Sequence, residues 1–276
     1  MPPISASGTY FALAGSPPAV RARMLAAAAR AASRRSPTAR ALARALTTTA
    51  LGRIGAAESG WIERIEARRR DLESRQVEIR SGVGTADGRL PGWASGFARE
   101  IPLWGATMMV SVPPLWGRFL LRLVRELEPV AALELGTAFG ISSLFQAAGM
   151  ELNDRGRMLT LDAAGEWGAV AVEGFEALGL ERRVALRVGE LGETLAPAAA
   201  EIAPVDFAFV DAEHEGPATR DHFEAMLPHL ADRAVVVFDD VWEPREMREA
   251  WGAIRRHERV GEALSLGRMG IVVLAP

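Results

Sequence analysis

Apolar and polar positions follow two different rhythms along this chain, and the change falls near residue 130. Before it, apolar side chains recur every three or four residues, the spacing of one face of a helix. After it, short apolar runs alternate with helical stretches, which is typical of buried parallel strands joined by helices. The predicted strands are 130–135, 157–162, 184–188, 205–211, 234–240, 263–266 and 271–274. The predicted helices are 18–33, 38–51, 56–80, 115–128, 141–148, 167–178, 195–202, 222–231 and 245–257.

This order of elements predicts an α/β fold with a doubly wound, Rossmann-like sheet of seven mostly parallel strands. The last two strands are separated only by Gly-Arg-Met-Gly, so they should form a terminal antiparallel hairpin. We expect two parts: a helical N-terminal extension over 1–114, part of which could form a substrate lid, and a catalytic domain over 115–276. In such sheets, ligands bind at the carboxyl ends of the strands.

Composition narrows the function classes. The chain has 276 residues, of which 49% are hydrophobic and 24% charged, and it has no Cys. Cysteine nucleophiles, thiolate metal sites and disulfides are therefore excluded. No apolar run approaches the ~20 residues that span a bilayer, so we expect no membrane partner and a cytoplasmic location.

Charge is distributed unevenly. Residues 1–57 contain eight Arg and no acid, whereas the remainder has 24 Arg against 35 acidic residues. Such an N-terminus could be a transit peptide or an arm that binds nucleic acid or a membrane surface. The favoured interpretation is one or two surface helices that pack Ala and Leu on the main body. The charged face over 63–71 is either solvated or a contact in a homodimer.

Residues 81–117 are rich in Gly and Pro and contain Trp93, Trp104 and Trp116. A loop of this composition beside a ligand site could be a lid or a wall of the substrate pocket. It could equally be a connector whose tryptophans fill the core. The sequence leaves both open.

The central candidate is the strand–turn–helix over 130–143, with Glu134 in the strand and Gly136 and Gly140 in the turn. Backbone N–H groups and the positive end of a helix dipole should meet there, which suits an anionic ligand. Asp162 ends the next strand, where an acid can accept both hydroxyls of a ribose. The turn reads Glu-x-Gly-x-x-x-Gly and lacks the Gly-x-Gly-x-x-Gly of pyrophosphate sites, so an adenosyl ligand without phosphates fits better.

A second cluster is expected from Asp211, Asp239 and Asp240, which end two strands that should be neighbours. Three converging carboxylates would repel one another, and Mg²⁺ or Ca²⁺ would relieve the repulsion. The alternative is that one acid binds the ligand and another caps a helix. His214 leaves the same edge and is suited to act as a general base, although it could also be a solvated loop residue.

Together these residues resemble class I S-adenosylmethionine-dependent methyltransferases, in the O-methyltransferase branch of catechol, caffeoyl-CoA and bacterial sugar and macrolide enzymes. The similarity covers about 115–276 and rests on the segments 133–143, 159–162, 205–214, 235–241 and 267–273. The resemblance implies S-adenosylmethionine as cofactor. The implied cofactor residues are Glu134, Gly136, Thr137, Gly140, Ser142, Asp162, Gly189, Glu190 and Asp211. Ser142 would bond the methionine carboxylate, and Asp162 the ribose.

The resemblance also implies Asp211, Asp239 and Asp240 as ligands of Mg²⁺ or another divalent cation. Asp240 departs from the family, which often has Asn there. His214 falls where cation-dependent animal enzymes place a catalytic Lys. The implied reaction is direct methyl transfer to a hydroxyl of a small molecule. A metal would lower the hydroxyl pKa, and His214 and Asp211 would be the catalytic residues.

Three other functions were weighed. A nicotinamide oxidoreductase should have the missing glycine pattern and a Tyr/Lys pair, but the chain has one Tyr and no Lys. A nucleic-acid methyltransferase is disfavoured by the acidic catalytic part and by the lack of a base-methylating motif, so no nucleic-acid partner is expected. A non-catalytic cofactor-binding or scaffold protein with a basic N-terminal arm remains the main alternative.

Overall fold

The computed structural model describes residues 17–80, 100–163 and 165–276. Its N-terminal half is mainly helical, as predicted. The elements before the large sheet are α1 (Pro17–Ala32), α2 (Pro37–Ala50), α3 (Ala56–Ser74), β1 (Glu78–Arg80), β2 (Glu100–Pro102), α4 (Leu103–Val110) and α5 (Pro114–Leu127).

The C-terminal half alternates strands and helices. Its elements are β3 (Ala131–Leu135), α6 (Ile141–Leu152), β4 (Arg157–Asp162), α7 (Gly165–Leu178), β5 (Val184–Val188), α8 (Leu191–Ile202), β6 (Val205–Val210), α9 (Gly216–Met226), β7 (Leu230–Phe238), α10 (Arg245–Ile254), β8 (Val260–Ser265) and β9 (Gly270–Leu274). A short 3₁₀ turn, Leu227–His229, separates α9 from β7.

The seven strands of the large sheet lie in the order β5-β4-β3-β6-β7-β9-β8. Strands β3 to β7 are mutually parallel, and β9 pairs antiparallel with both β7 and β8. The predicted fold class is therefore confirmed. The chain leaves β3 toward β4 and β5, then crosses back to place β6 on the other side of β3. This reversal opens a crevice at the carboxyl ends of β3 and β6, where ligands bind in such sheets.

The N-terminal helices pack on the same hydrophobic core as one face of the sheet. Met24, Leu42, Leu46 and Ile65 have no exposed surface and belong to the cluster that contains Phe119 of α5. Burial of these apolar residues stabilises the helical layer on the domain. The Ala- and Leu-packed helices predicted for this region are present. The proposed domain boundary at 114/115 stays a prediction.

The predicted bounds of two helices were wrong. The helix expected over 56–80 ends at Ser74, because Arg75 is extended and residues 78–80 pair with β2 instead. The helix expected over 222–231 begins at Gly216 and ends at Met226. Pro228 follows, and a proline cannot donate the backbone hydrogen bond that a continuing helix needs. Strand β7 consequently begins at Leu230, four residues earlier than expected.

The two interpretations of residues 81–117 are partly resolved. Trp116 is 3% exposed and lies in the core beside Phe119, so for this tryptophan the core-filling interpretation is confirmed. Trp93 lies outside the described residues, and the lid stays a prediction. No helix among residues 17–80, 100–163 and 165–276 combines the length and apolar character needed to cross a bilayer.

Candidate functional site

The turn after β3 requires glycine at its first position. Gly136 has φ +91°, and a Cβ there would overlap the carbonyl oxygen of Asp211. The N–H of Asp211 in turn donates to the carbonyl of Leu135 at 2.8 Å. The missing side chain lets the turn lie directly against the end of β6. The predicted cofactor turn and the predicted acceptor-side acid are therefore immediate neighbours.

The second glycine of the turn sets the start of α6. Gly140 has φ +78°, and a Cβ there would lie 2.9 Å from side-chain atoms of Ala171 and Phe175 in α7. Helix α6 begins at the next residue, with Ser142 and Ser143 buried in its first turn. Its N-terminus, with the unpaired N–H groups and positive dipole end, points to the crevice.

Asp162 connects the turn to the end of β4. Its Oδ2 accepts a hydrogen bond of 2.7 Å from the N–H of Ala138 in the turn. Its backbone carbonyl accepts a 2.9 Å bond from the N–H of Gly189, which ends β5. Glu190 follows, half-buried, at the start of α8. The structure thus brings the carboxyl ends of β3, β4 and β5 together, with the predicted residues of all three.

Glu134 lies beneath the turn and has no exposed surface. Its Oε1 accepts from the Gln146 amide at 2.6 Å, and its Oε2 accepts from Thr160 Oγ1 at 2.7 Å and from the Ser143 hydroxyl. Thr137 Oγ1 lies 2.6 Å from Thr160 Oγ1 and extends the network to the turn. Burial raises the pKa of Glu134, and these donors offset the rise only in part. Glu134 therefore holds the turn from beneath through buried hydrogen bonds.

The second cluster lies at the carboxyl ends of β6 and β7. Asp211 follows β6, and Asp239 follows β7 with its N–H donating to the carbonyl of Val210 at 2.9 Å. Asp240 has φ +50°, a strained backbone conformation for a non-glycine residue. The His214 ring lies between two acids: Nε2 is 3.8 Å from Asp211 Oδ1, and Nδ1 is 3.7 Å from Asp240 Oδ2. These distances exceed hydrogen-bond range but allow strong electrostatic interaction.

Arg268, in the turn between β8 and β9, was not predicted to be part of this cluster. Its Nε and Nη2 each donate a 2.7 Å hydrogen bond to the two oxygens of Asp239. Its Nε also lies 3.3 Å from Asp240 Oδ1. The sequence feature that could have indicated this role is an arginine in the turn of the hairpin that packs beside β7. Its pairing with Asp239 spans 29 residues, which no local pattern reports.

Burial and mutual repulsion act on the remaining acids. Burial, followed by the Asp239 carboxylate, raises the pKa of Asp211 well above its usual range. The same two causes raise the pKa of Asp240. Burial lowers the pKa of Arg268, but Asp239 and Asp240 outweigh it and hold the pKa above its usual value. Fully ionised, these acids would carry more negative charge than the one guanidinium compensates, and the raised pKa values favour the neutral acids instead.

The predicted ligand set fits a divalent cation poorly in this arrangement, because both oxygens of Asp239 are bonded to Arg268. A different set is close enough: ligand atoms of Asp211, His214 and Asp240 lie within 4.8 Å of one another. Of the two carboxylates in this set, that of Asp240 accepts a 3.4 Å hydrogen bond from Arg268, and that of Asp211 does not. The magnesium assignment remains a prediction.

Comparison with known proteins agrees with this geometry. The family model described as "Methyltransferase domain" matches residues 133–241, which run from the buried strand β3 to just past Asp240. An O-methyltransferase from Bacillus cereus, solved in complex with SAH, superposes with a TM-score of 0.52 at 28% identity, over 60% of this chain and 83% of that one. Residues 133–241 of this chain are thus similar to a methyltransferase domain.

Two curated relatives extend the comparison. A catechol O-methyltransferase of Niastella koreensis is 32% identical over 133 residues, which are 48% of this chain and 58% of that protein. A catechol O-methyltransferase of Mycobacterium tuberculosis is 29% identical over 148 residues, 54% of this chain and 62% of the relative. The matches thus cover about three-fifths of the relatives' length, and the N-terminal helices belong to the part of this chain that the family model does not match.

Proposed function

We propose that this methyltransferase domain transfers the methyl group of S-adenosylmethionine to a hydroxyl of a small molecule. The observation that carries the proposal is the contact of Gly136 with Asp211. It joins the turn that would bind the cofactor to the acids that would bind the acceptor, within one crevice. The SAH in the Bacillus cereus relative supports the cofactor. The two catechol O-methyltransferases support an aromatic hydroxyl as the acceptor class.

The cofactor half has the groups that an adenosyl amino acid needs. Asp162, which accepts a hydrogen bond from Ala138 in the turn, would accept the ribose hydroxyls. The start of α6, with Ser142, offers N–H and hydroxyl donors to a carboxylate. Gly189 and Glu190 would border the adenine. Bound S-adenosylmethionine would supply a methyl group already activated by its sulfonium.

On the acceptor side, the protein must orient the hydroxyl and remove its proton. Transfer of the methyl group to the acceptor oxygen would leave the bound cofactor as a neutral thioether. The acceptor proton would move to His214, and the carboxylates of Asp211 and Asp240 on either side would stabilise the imidazolium.

The predicted magnesium ion would act differently. Bound by Asp211, His214 and Asp240, it would lower the pKa of the acceptor hydroxyl. A His214 nitrogen that coordinates a metal cannot also accept the proton. The two routes are therefore exclusive at that nitrogen, and activity after chelation and readdition of Mg²⁺ distinguishes them.

Calorimetry tests the cofactor site. We expect S-adenosylmethionine to bind the wild-type chain and to bind Asp162→Ala about 100-fold more weakly, since two charge-assisted hydrogen bonds would be lost. Asp232→Ala is the matched control, because Asp232 is exposed and lies near the amino end of β7. The crevice lies at the other, carboxyl ends of the strands. Equal affinity of the wild type and Asp162→Ala would refute the assignment.

Release of S-adenosylhomocysteine in the presence of catechol-type and other hydroxyl acceptors tests turnover. Cofactor binding without methylation of any acceptor would favour the alternative of a binding or scaffold protein.

A further inference from the structure

Arg268 is held in place by its backbone as well as by its charge. Its carbonyl accepts a 2.9 Å hydrogen bond from the N–H of Val241, directly after the two acids. Its neighbours Leu266 and Met269 have no exposed surface, and the N–H of Leu266 donates to the Met269 carbonyl at 2.8 Å. The hairpin turn is thus anchored to the core on both sides of Arg268, so the guanidinium is directed at the acids by the fold.

The guanidinium contacts both acids that follow β7. Nε and Nη2 form a fork with Asp239 at 2.7 Å each. The same two nitrogens lie 3.3 and 3.4 Å from the oxygens of Asp240. The Arg268 side chain is 20% exposed and that of Asp239 is fully buried. A guanidinium keeps its charge at all accessible pH values, and its planar fork matches a carboxylate.

We propose that Arg268 supplies, from within the protein, the positive charge that a divalent cation would otherwise supply to Asp239 and Asp240. It follows that the acceptor site of this chain works without a bound metal ion. A cation at Asp211, His214 and Asp240 would share the Asp240 carboxylate with Arg268 and be repelled by it. Asp239 could join the ligands only if Arg268 left its place.

Arg268 is a positioning residue in this proposal. It does not exchange protons, because a guanidinium cannot be deprotonated in a protein. It holds Asp240, whose backbone is strained, with Oδ2 3.7 Å from the His214 ring. The role of Arg268 in catalysis rests on the proposed function. The effect of Arg268 on cation binding does not depend on it.

Binding of Mn²⁺ to the purified full-length chain tests the claim, followed by electron paramagnetic resonance of the free ion. We expect the wild type to bind Mn²⁺ weakly, with a Kd near or above ~1 mM, the weak end of protein sites for hard cations. Arg268→Met removes the guanidinium from both oxygens of Asp239, of which Oδ1 keeps a hydrogen bond from the Asp240 N–H. This variant should bind about one Mn²⁺ per chain at least 10-fold more tightly. Arg245→Ala is the control, since Arg245 is 84% exposed and pairs with Glu249 within its own helix.

Arg268→Lys covers the case in which Arg268→Met fails to fold. A lysine keeps the charge and loses the fork, so Mn²⁺ binding should stay weak while kcat falls. Chelation should leave wild-type turnover unchanged. Tight stoichiometric binding of Mn²⁺ by the wild type, abolished by Asp240→Ala, would overturn the proposal. S-adenosylmethionine binding, measured in parallel, reports separately on the proposed function.

Discussion

Two carboxylates at the carboxyl edge of the sheet are equally buried and are compensated in opposite ways. Glu134 in β3 is surrounded by neutral donors from Ser143, Gln146 and Thr160. Asp239 after β7 is paired with the guanidinium of Arg268. Both have essentially no exposed surface. Burial of a carboxylate is costly in either case, and the two solutions differ in whether the negative charge itself is neutralised.

The difference matches the two tasks of the crevice. Neutral donors fix the shape of a turn, and they do so while the pKa of Glu134 is raised by burial. Glu134 connects β3, α6 and β4 beneath the turn that would bind the cofactor. A guanidinium fixes both shape and charge. Arg268 would therefore control the electrostatics of the proposed acceptor half, where the proposed reaction requires a proton to leave the substrate.

The largest loss of stability is expected when the buried Asp239–Arg268 ion pair is broken. Arg268→Met leaves Asp239 buried without a charged partner, although its Oδ1 still accepts the 2.9 Å hydrogen bond from the Asp240 N–H. This should lower the free energy of unfolding by about 3 to 5 kcal/mol. Asp239→Asn should cost less, about 1 to 2 kcal/mol, because Arg268 keeps Asp240 as a partner. Urea unfolding of both variants and of Arg268→Met/Asp239→Leu completes the test, and the double variant should recover most of the loss. Equal losses in the two single variants would show that Asp240 does not share the guanidinium.

The network of neutral donors around Glu134 should tolerate substitution better than the ion pair does. Glu134→Ala removes the acceptor of three buried donors and should cost about 3 kcal/mol, whereas Glu134→Gln should cost about 1 kcal/mol near neutral pH. Because the folded pKa of Glu134 is raised, the folded state binds the extra proton and wild-type stability falls as pH rises above about 4. The stability of Glu134→Gln relative to the wild type should therefore improve from acid to neutral pH. Unfolding measured across that range checks the sign, and a constant difference would contradict it.

The same contrast explains what the sequence could predict. The run from Val130 to Ser143 contains a local signal for each of its parts: an apolar strand, turn glycines and a helix start. Gly136, Gly140 and Asp162 therefore came together as expected. Strands β3 to β7 were recovered because each is a short apolar run between helices. Parallel order then follows from the connections between them.

Contacts between distant segments left no such signal. Arg268 reaches Asp239 only because β9 folds back beside β7, and in the sequence it is one of 32 arginines. The β1–β2 pair was missed for a related reason. Residues 78–80 continue a helical pattern, and their partner strand begins 20 residues later. The β1–β2 pair forms although the local pattern favours a helix, and the Arg268–Asp239 contact forms where the local sequence gives no signal.

An exposed ion pair completes the comparison with the smallest expected effect. Arg68 of α3 and Arg75, which directly follows α3, donate hydrogen bonds to Glu173 of α7, whose side chain is 49% exposed. Hydrogen bonds from Arg75 and then from Arg68 lower the pKa of Glu173 to about 2. The pair's contribution is thus present above about pH 4 and lost as pH falls toward 2. Solvent screening should limit the cost of Glu173→Gln to less than about 1 kcal/mol at pH 7, and 1 M salt should reduce it further. Urea unfolding at both salt concentrations measures this. If Glu173→Gln lowered the free energy of unfolding by more than Glu134→Gln does, and if the loss persisted in 1 M salt, the prediction would be contradicted. The exposed pair at Glu173 would then behave like the buried pair at Asp239.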